Sequence, residues 1–303
     1  MELPDLHLRR DLRAGGFRDD EVRRLVRAGQ LTPVRRGSYV HGDAPTDEHA
    51  HHAVRIRAEV AHLAAGAVVS HVSAAVLHGL PTWAIPLDRV HVTRARRTGG
   101  RRGGQVHVHT APLDLHEIQE VDGLLVTSVA RTVVDLARTV PFEPAVAVAD
   151  AALHAVRTDP DATLLLHIAL AEALARTLRW RGRPNARRVL EFADARSDSV
   201  GESRSRVALQ RAGLPQPTLQ WQVAGHLVDF GWPALRTVGE FDGRMKYDKL
   251  LRPGQTPADA VYAEKLREDS IRAEGLAVVR WGWRDLADFT PVLHRLRSAF
   301  ARP

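Results

Sequence analysis

The chain has 303 residues, a length typical of two domains of ordinary size with ample volume for a hydrophobic core. Hydrophobic residues make up 44% and charged residues 26%, a globular composition that excludes wholesale disorder. The 43 basic residues outnumber the 36 acidic ones, and the net charge of +7 permits a polyanionic partner. Cysteine is absent, which excludes disulfide frameworks, thiolate zinc sites and cysteine nucleophiles.

The sequence predicts a cytoplasmic protein without a membrane partner. No stretch approaches the ~18 to 20 consecutive apolar residues that a spanning helix requires. The first five residues lack the basic-then-apolar order of a signal peptide. The lack of cysteine agrees with a reducing compartment.

Residues 1–45 predict a winged helix-turn-helix. Residues 6–14 predict a short helix, and a second helix is capped by Asp19 and ends at Ala28-Gly29. Two short extended runs around an Arg-Arg-Gly turn then form a basic wing. Such a helix fits the DNA major groove, although an amphipathic helix with a solvated basic face is the alternative. The arginines predicted to contact phosphates or guanine edges are Arg23, Arg24, Arg27, Arg35 and Arg36.

Residues 46–157 predict a mixed α/β domain, with strands over 89–93 and 105–109 and helices over 127–138 and 142–156. Between the two strands lie five arginines among glycines, which predict a mobile basic hairpin tip. The tip either grips a phosphate backbone or is an ordinary solvated loop. Its candidate nucleic-acid contacts are Arg96, Arg97, Arg101 and Arg102.

Two groups of histidines in this region are weaker candidates for a metal site. One group precedes a predicted helix, and in the other, His107 and His109 share one strand face. With sixteen scattered histidines and no cysteine, packed or solvated imidazoles are the favoured interpretation.

Residues 158–196 predict a helical connector, and residues 197–303 carry the most informative pattern. The predicted elements are a helix over 199–212, strands over 221–229 and 235–242, a helix over 257–274 and a strand over 276–281. Asp229 ends the first strand, and Glu240 and Asp242 project from one face of the second.

Asp229 and Glu240 can converge on one divalent ion. Hydrolysis of a phosphodiester requires a cation that stabilises the developing charge and activates water, and Mg²⁺ is usually held by one or two carboxylates. Together with Asp242, these carboxylates repel each other unless a cation lies among them. The chain's three lysines are in this region, and an ammonium from Lys246 or Lys265 can orient the water or neutralise the transition state. Edge-strand carboxylates beside solvated lysines are the alternative.

Four ordered motifs resemble the very-short-patch-repair-like nuclease domain of the PD-(D/E)XK superfamily. They are VDFGWP (228–233), GEFDGRMKY (239–247), EKLRED (264–269) and VVRW (278–281). The resemblance covers roughly residues 197–290 and implies a restriction-endonuclease-like αβββαβ core. It implies Asp229 and Glu240 as ligands of Mg²⁺ or Mn²⁺, and Glu202 as the acid of the leading helix. Asp242 stands where the usual pattern has lysine, and Lys246 where relatives often have histidine. The predicted catalytic residues are Glu202, Asp229, Glu240, Asp242 and Lys246.

The N-terminal half is similar to the type IV abortive-infection antitoxin (AbiEi-like) family. The similarity rests on VRAGQL (26–31), RGSYV (36–40), SAAVLHGLP (73–81) and VTSVARTVVD (126–135), and covers about residues 6–155. It implies a winged helix that binds operator DNA and represses a toxin–antitoxin operon, with a cognate toxin as a partner. The stretch before Gly15 is shorter than the family's usual first helices.

We therefore predict a multidomain α+β / α/β protein: a winged helix-turn-helix, a mixed α/β middle domain and a C-terminal nuclease-like core. The predicted function is DNA binding with Mg²⁺-dependent endonucleolytic hydrolysis of DNA phosphodiesters. The alternative is a non-catalytic antitoxin-type transcriptional regulator with a degenerate nuclease fold, because the lysine two residues after Glu240 is missing. A third hypothesis is a protein-binding antitoxin that sequesters a nucleotidyltransferase toxin.

Overall fold

The computed structural model describes residues 4–95, 101–243 and 257–302, without the side chains of 101–103, 257–258 and 260–261. The protein is mixed α/β and divides into two compact units, one of residues 1–148 with 160–191 and one of residues 149–159 with 192–303. Most of the predicted connector, 160–191, therefore belongs to the first unit. Among the helices described, none has both the length and the apolar character needed to cross a bilayer.

The first unit begins with a small three-stranded sheet and two helices. Its elements are β1 (Leu6–Leu8), α1 (Arg9–Ala14), α2 (Asp19–Arg27), β2 (Leu31–Arg35) and β3 (Ser38–His41), in the strand order β1-β3-β2. The prediction of one helix over 6–14 is wrong at its start, because Leu6–Leu8 pairs antiparallel with β3. Leu8 and Val40 are both buried, so pairing with β3 buries apolar surface that a solvent-exposed helical turn would leave in water.

A six-stranded sheet with helices forms the rest of the first unit. Its strands are β4 (Val68–Val69), β5 (Val90–Arg94), β6 (Arg101–Gly103), β7 (Val106–Thr110), β8 (Ile118–Val121) and β9 (Leu124–Thr127). Its helices are α3 (Glu48–Val60), α4 (His71–Leu77), α5 (Val129–Thr139), α6 (Phe142–Val156), α7 (Pro160–Arg176) and α8 (Arg183–Phe192). Residues 149–156 of α6 and Phe192 of α8 are assigned to the second unit. The strand order is β6-β7-β5-β4-β9-β8.

The segment between β5 and β7 is not the tip of a hairpin that joins them. These two strands are parallel, with Val90 opposite Val106, and a hairpin tip can join only antiparallel neighbours. The connection instead includes β6, which pairs antiparallel with β7. One face of β5 and β7 is apolar, with Val90 and Val92 buried in a cluster that contains Ile56. Their histidines therefore lie on the opposite face.

The second unit contains a four-stranded sheet with helices. Its main elements are α9 (Val200–Arg211), β10 (Thr218–Val223), β11 (His226–Trp232), β12 (Thr237–Asp242), α10 (Pro257–Ala273), β13 (Ala277–Gly282) and α11 (Thr290–Phe300). The strand order is β10-β11-β12-β13, in which β12 and β13 are parallel and the other pairs antiparallel. Phe230, Trp232 and Trp281 form its core with Leu209 and Leu296.

The predicted single strand over 221–229 is two strands, which is a correction with consequences for Asp229. The chain reverses at Ala224-Gly225, whose φ angles are +50° and +75°, as a two-residue hairpin turn requires. Asp229 consequently lies inside β11, which continues to Trp232, and not at a strand end. Alanine at positive φ is uncommon, so the usual turn signal was missing from the sequence.

Candidate metal and nucleic-acid sites

Asp229 lies where β11 and β12 separate. The paired register runs to Phe230 opposite Gly239. One residue further along, Asp229 Oδ2 accepts a hydrogen bond of 2.8 Å from the backbone N–H of Phe241. The carboxylate thus supplies an acceptor to an N–H of the neighbouring strand. This bond fixes Asp229 beside the residue that follows Glu240.

Glu202 reaches the same sheet from the N-terminus of α9. Ser199 caps this helix, because its Oγ accepts from the Glu202 N–H at 3.2 Å, and the same hydroxyl donates to Glu202 Oε1 at 2.9 Å. Its other oxygen, Oε2, accepts from the side-chain amide of Gln220 at 3.2 Å. The register of β10 and β11 places Gln220, at φ +49°, opposite Asp229. Glu202 is thereby linked to the strand next to Asp229 while it stabilises its own helix.

Glu240 is buried and bound by two arginines. Arg267 Nη2 donates to Glu240 Oε2 at 2.7 Å, and Arg280 Nη2 lies 3.0 Å from the same oxygen. Arg280 is the direct neighbour of Glu240 in the parallel pairing of β12 and β13. Glu240 Oε1 is an ion-pair contact of Arg267, yet within the part of the chain that the structure describes it accepts no hydrogen bond. One oxygen of a buried carboxylate thus keeps unused acceptor capacity.

The two arginines extend the cluster to α10. Arg267 Nη2 lies 2.7 Å from Glu264 Oε1, and Arg280 contacts Glu264 and, at 3.2 Å, Glu268. Burial alone would raise the pKa of Glu264, but the hydrogen bond from Arg267 prevails and holds the pKa below its usual range. Arg272 also pairs with Glu268, so three carboxylates face three guanidinium groups and their formal charges balance.

The remaining predicted acid and the two predicted lysines differ in their positions. Asp242 is half-buried and lines a cavity of about 440 Å³ together with Arg280. Lys265 is exposed on α10. Lys246 lies outside the described residues, so its role stays a prediction. Asp229, Glu240 and Asp242 thus lie near the C-terminal end of β12.

The predicted DNA-contacting arginines of the N-terminal segment fall into two groups. Arg23, Arg24 and Arg27 are exposed on α2, and Arg36 is exposed at the turn between β2 and β3. Arg35 is different, because its half-buried side chain places Nε 3.3 Å from the buried carboxylate of Glu59 on α3. A guanidinium held in this way supports the fold and is a weaker candidate for a phosphate contact.

The basic segment before β7 is only partly described. Arg101 and Arg102 belong to β6. Arg96 and Arg97 lie outside the described residues, so their contact with DNA remains a prediction.

The first unit contains a cluster of histidines, and the sequence did not predict that they lie together. Ligand atoms of His71, His91 and His109 all lie within 4.8 Å of one another. His109 stacks on His71 and on His107, with ring centroids 3.6 Å and 3.9 Å apart. The alternation in β7 revealed that His107 and His109 share a face, which the structure confirms. His91 and His71 join them through the parallel pairing of β5 with β7 and the position of α4.

A buried charge network adjoins the histidines. Arg131 Nε donates to Asp135 Oδ2 at 2.8 Å, and Arg131 Nη1 donates to Glu117 Oε2 at 3.0 Å. Arg138 Nη2 donates to the other oxygen of Asp135 at 2.9 Å. A cavity of about 790 Å³ is lined by both arginines, Asp135, His71 and His109.

Comparison with known proteins identifies relatives without assigning a function. Two proteins of Mycobacterium tuberculosis, uncharacterized protein Rv2248 (strain H37Rv) and uncharacterized protein MT2308 (strain CDC 1551), are each 38% identical to this chain over 130 residues. The match covers 41% of this chain and 45% of each relative, so the chain spans less than half the length of the curated relatives it matches. No protein-family model matches the chain.

Among solved structures, the chain is similar to the crystal structure of the RV2827C protein from Mycobacterium tuberculosis. The identity is 17% and the TM-score 0.35, over 63% of this chain and 77% of the other. A TM-score at this level supports no inference about fold or function.

Proposed function

We propose that the second unit is a metal-dependent phosphodiesterase module that acts on DNA, and that the winged segment of the first unit contributes DNA binding. The observation that carries the proposal is the junction of β11 and β12, where Asp229 is fixed beside the residue after Glu240. The order α9-β10-β11-β12-α10-β13 agrees with the αβββαβ core that the nuclease resemblance implies.

The donors at this junction fit a hard divalent cation. Mg²⁺ and Mn²⁺ prefer carboxylate oxygens, and Asp229 and Glu240 supply them from adjacent strands. The buried Oε1 of Glu240 accepts no hydrogen bond from the residues described but lies 2.7 Å from Arg267 Nη2, so a cation bound there would displace that ion pair. Asp229 and Glu240 would hold the ion, whose role when bound would be to stabilise phosphoryl charge and activate water.

The chain's own residues prepare the site in two ways. Glu202, through Gln220, and the N–H of Phe241 orient the region around Asp229. Arg267 and Arg280 pair with Glu240 and present cationic donors next to it, where a phosphate oxygen of DNA can bind.

The test is cleavage of supercoiled plasmid and of short duplexes with Mg²⁺ or Mn²⁺. We expect activity in the wild type and a loss of at least ~100-fold in Asp229→Asn and in Glu240→Gln. Glu274→Gln, which changes an exposed glutamate just after α10, is the matched control and should cleave normally. Metal-dependent cleavage that survives both site variants would contradict the proposal.

The second candidate is a non-catalytic regulator of a toxin–antitoxin system that uses the same unit for binding. Two observations favour it: Asp242 replaces the lysine of the usual pattern, and arginines already neutralise part of the charge of Glu240. For this candidate we expect no cleavage and metal-independent DNA binding that Asp229→Asn and Glu240→Gln leave unchanged. Copurification of a cognate toxin would further support it.

Both candidates require DNA binding by the exposed arginines of α2. Replacing Arg23, Arg24 and Arg27 by Gln should make the slope of log affinity against log salt shallower by about one unit for each phosphate that the variant no longer neutralises. Arg35→Gln is the internal contrast, because Arg35 is engaged by Glu59, and it should leave the slope unchanged. Equal effects of the two variants would contradict this assignment of the arginines.

A further inference from the structure

Four histidines occupy the face of β5 and β7 opposite the apolar core. In the parallel pairing, His91 lies opposite His107 and Thr93 lies opposite His109. His71, the first residue of α4, lies against this face, and its ring stacks on His109 with an interplanar angle of 11°. The histidines thus come from three elements that meet at one place, which is the arrangement that a metal centre needs.

One nitrogen of His71 is buried without a partner among the residues described, and the other is engaged by a hydroxyl group. Only 4% of His71 is exposed, and its Nε2 has no hydrogen-bond partner among the residues described. Its Nδ1 bonds to Ser70 Oγ at 3.0 Å, and Ser70 Oγ in turn accepts from Thr93 Oγ1 at 2.8 Å. A proton on Nδ1 would leave the lone pair on Nε2, as in metal-bound histidines whose second nitrogen is held by an outer partner.

The backbone conformation of His71 is unusual and accompanies the orientation of its ring. Its φ is +52°, a conformation that costs a non-glycine residue roughly 1 kcal/mol or more. The residue starts α4 directly after β4, and this backbone conformation accompanies the placement of its ring among the other imidazoles.

Burial favours the neutral form of His71 and His109, which is the form that metals bind. Burial lowers the pKa of His71 well below its usual range, and the neighbouring His91 and the guanidinium groups of Arg138 and Arg131 lower it further. Burial also lowers the pKa of His109 strongly. Neutral ligands need no proton release before coordination at ordinary pH.

From this geometry we infer that His71, His91 and His109 form a binding site for a borderline transition-metal ion of the Zn²⁺, Co²⁺, Ni²⁺ and Cu²⁺ class. Three neutral imidazoles are a common donor set for these ions, and they are poor ligands for Mg²⁺. The site is independent of the proposed phosphodiesterase site, which uses carboxylates of the second unit.

Coordination requires rotation of the imidazole rings. Nitrogens that share a tetrahedral ion lie roughly 3.3 Å apart, and His109 Nε2 and His91 Nδ1 are already 3.1 Å apart. The near-parallel rings of His71 and His109 must turn so that their lone pairs converge. Rotation about the Cβ–Cγ bond of histidine has a broad energy minimum, so this turn costs little.

The fourth coordination position would face the cavity of about 790 Å³, because His71 and His109 both line it. Arg131, Arg138 and Arg181 line the same cavity together with Asp135, so the formal charge of its lining is positive. We therefore expect the open position to accept water or a small anion such as a carboxylate or phosphate.

The experiment titrates the full chain, freed of metal with a chelator, with Co²⁺ and with Zn²⁺. It is performed in the Asp229→Asn, Glu240→Gln background so that oxygen ligands of the second unit do not contribute. We expect one equivalent of Co²⁺ with the visible absorption of a nitrogen-ligated ion. His91→Gln and His109→Gln should each weaken Zn²⁺ binding at least ~100-fold, whereas His116→Gln, an exposed histidine of the same unit, should bind like the parent.

Electron paramagnetic resonance of the Cu²⁺-loaded parent protein gives a readout that needs no variant. Hyperfine splitting from three imidazole nitrogens would support the site even where a variant fails to fold. Absence of uptake by the parent, a spectrum without nitrogen ligands, or full binding in folded His91→Gln and His109→Gln would each overturn the inference.

Discussion

The two candidate sites differ in what their arginines bind. In the second unit, Arg267 and Arg280 contact Glu240, which is itself the proposed ligand. In the first unit, Arg131 is paired with the carboxylates of Glu117 and Asp135, and the nearby histidines form no part of those ion pairs. A cation must therefore compete with guanidinium groups at the carboxylate site, while the imidazole site needs only ring rotation.

Burial separates the two networks further. The side chains of Arg131 and Asp135 are 2% and 0% exposed, whereas those of Arg267 and Arg280 are 24% and 30% exposed. A charge that is fully buried with its partners cannot exchange them without a large cost, but a partly hydrated one can. We infer that the first network is permanent scaffolding and that the second can rearrange when a ligand binds.

The largest expected effect follows from removing the buried cation. Arg131→Met leaves the buried carboxylate of Glu117 without its cationic partner, and we expect the first unit to lose about 3–5 kcal/mol of unfolding free energy. Denaturant-dependent amide hydrogen exchange resolves the loss because it reports α5 separately from the second unit.

Arg187→Met is the control for that variant. It removes an arginine from the same unit, but Arg187 and its partner Glu191 are 65% and 58% exposed. We expect a change below ~1 kcal/mol. If the two substitutions destabilise equally, the distinction between permanent and exchangeable networks fails.

The second expected effect is that acid destabilises the two units over different pH ranges. Burial lowers the pKa of His52 from 6.5 to about 4. The unfolded chain then binds the proton first as the pH falls, so this part of the stability is complete above pH 6.5 and is lost between 6.5 and about 4. The pKa of Glu264 is lowered from 4.5, so its contribution is complete above pH 4.5 and is lost only below it.

We therefore expect the first unit to weaken at a higher pH than the second. His52→Gln should remove about 2 kcal/mol of the stability change between about pH 7 and about pH 5, because glutamine does not titrate. Hydrogen exchange at several pH values measures the slope for each unit separately. His116→Gln, at an exposed position of the same unit, should keep the parent slope, and an unchanged slope in His52→Gln would contradict the prediction.

The sequence predicted elements whose signals are local. The helix over 142–156 was predicted with its observed bounds, Phe142–Val156. The turn at Ala224-Gly225 was missed because its first residue adopts a positive φ that alanine rarely takes. One missed turn moved Asp229 from a strand end to the interior of β11.

Site residues were predictable by type, while their partners were not. Asp229 and Glu240 stand out as carboxylates in strands, but the contact of Glu240 with Arg280 depends on the parallel pairing of β12 and β13 across a helix. Similarly, His107 and His109 share a face by simple alternation, yet only the parallel pairing of β5 and β7 adds His91. Non-local pairing of this kind leaves no periodic signal in either strand.

The smallest expected effect tests whether the arginines compete with a cation for Glu240. Arg280→Gln removes a guanidinium group that lies 3.0 Å from Glu240 Oε2. If cation and guanidinium compete, Mn²⁺ should bind about three- to tenfold more tightly, which corresponds to the free energy of a partly exposed ion pair. Isothermal titration calorimetry of the full chain measures this change.

The control for this last variant must carry the same change in net charge. Arg272→Gln provides it, because Arg272 pairs with Glu268 at 2.5 Å and is 59% exposed. A general electrostatic effect would tighten Mn²⁺ binding equally in both variants, whereas competition at Glu240 would do so in Arg280→Gln alone. Weaker binding in Arg280→Gln would instead mean that the arginine positions Glu240 for the ion, and the two networks would then both act as fixed scaffolding.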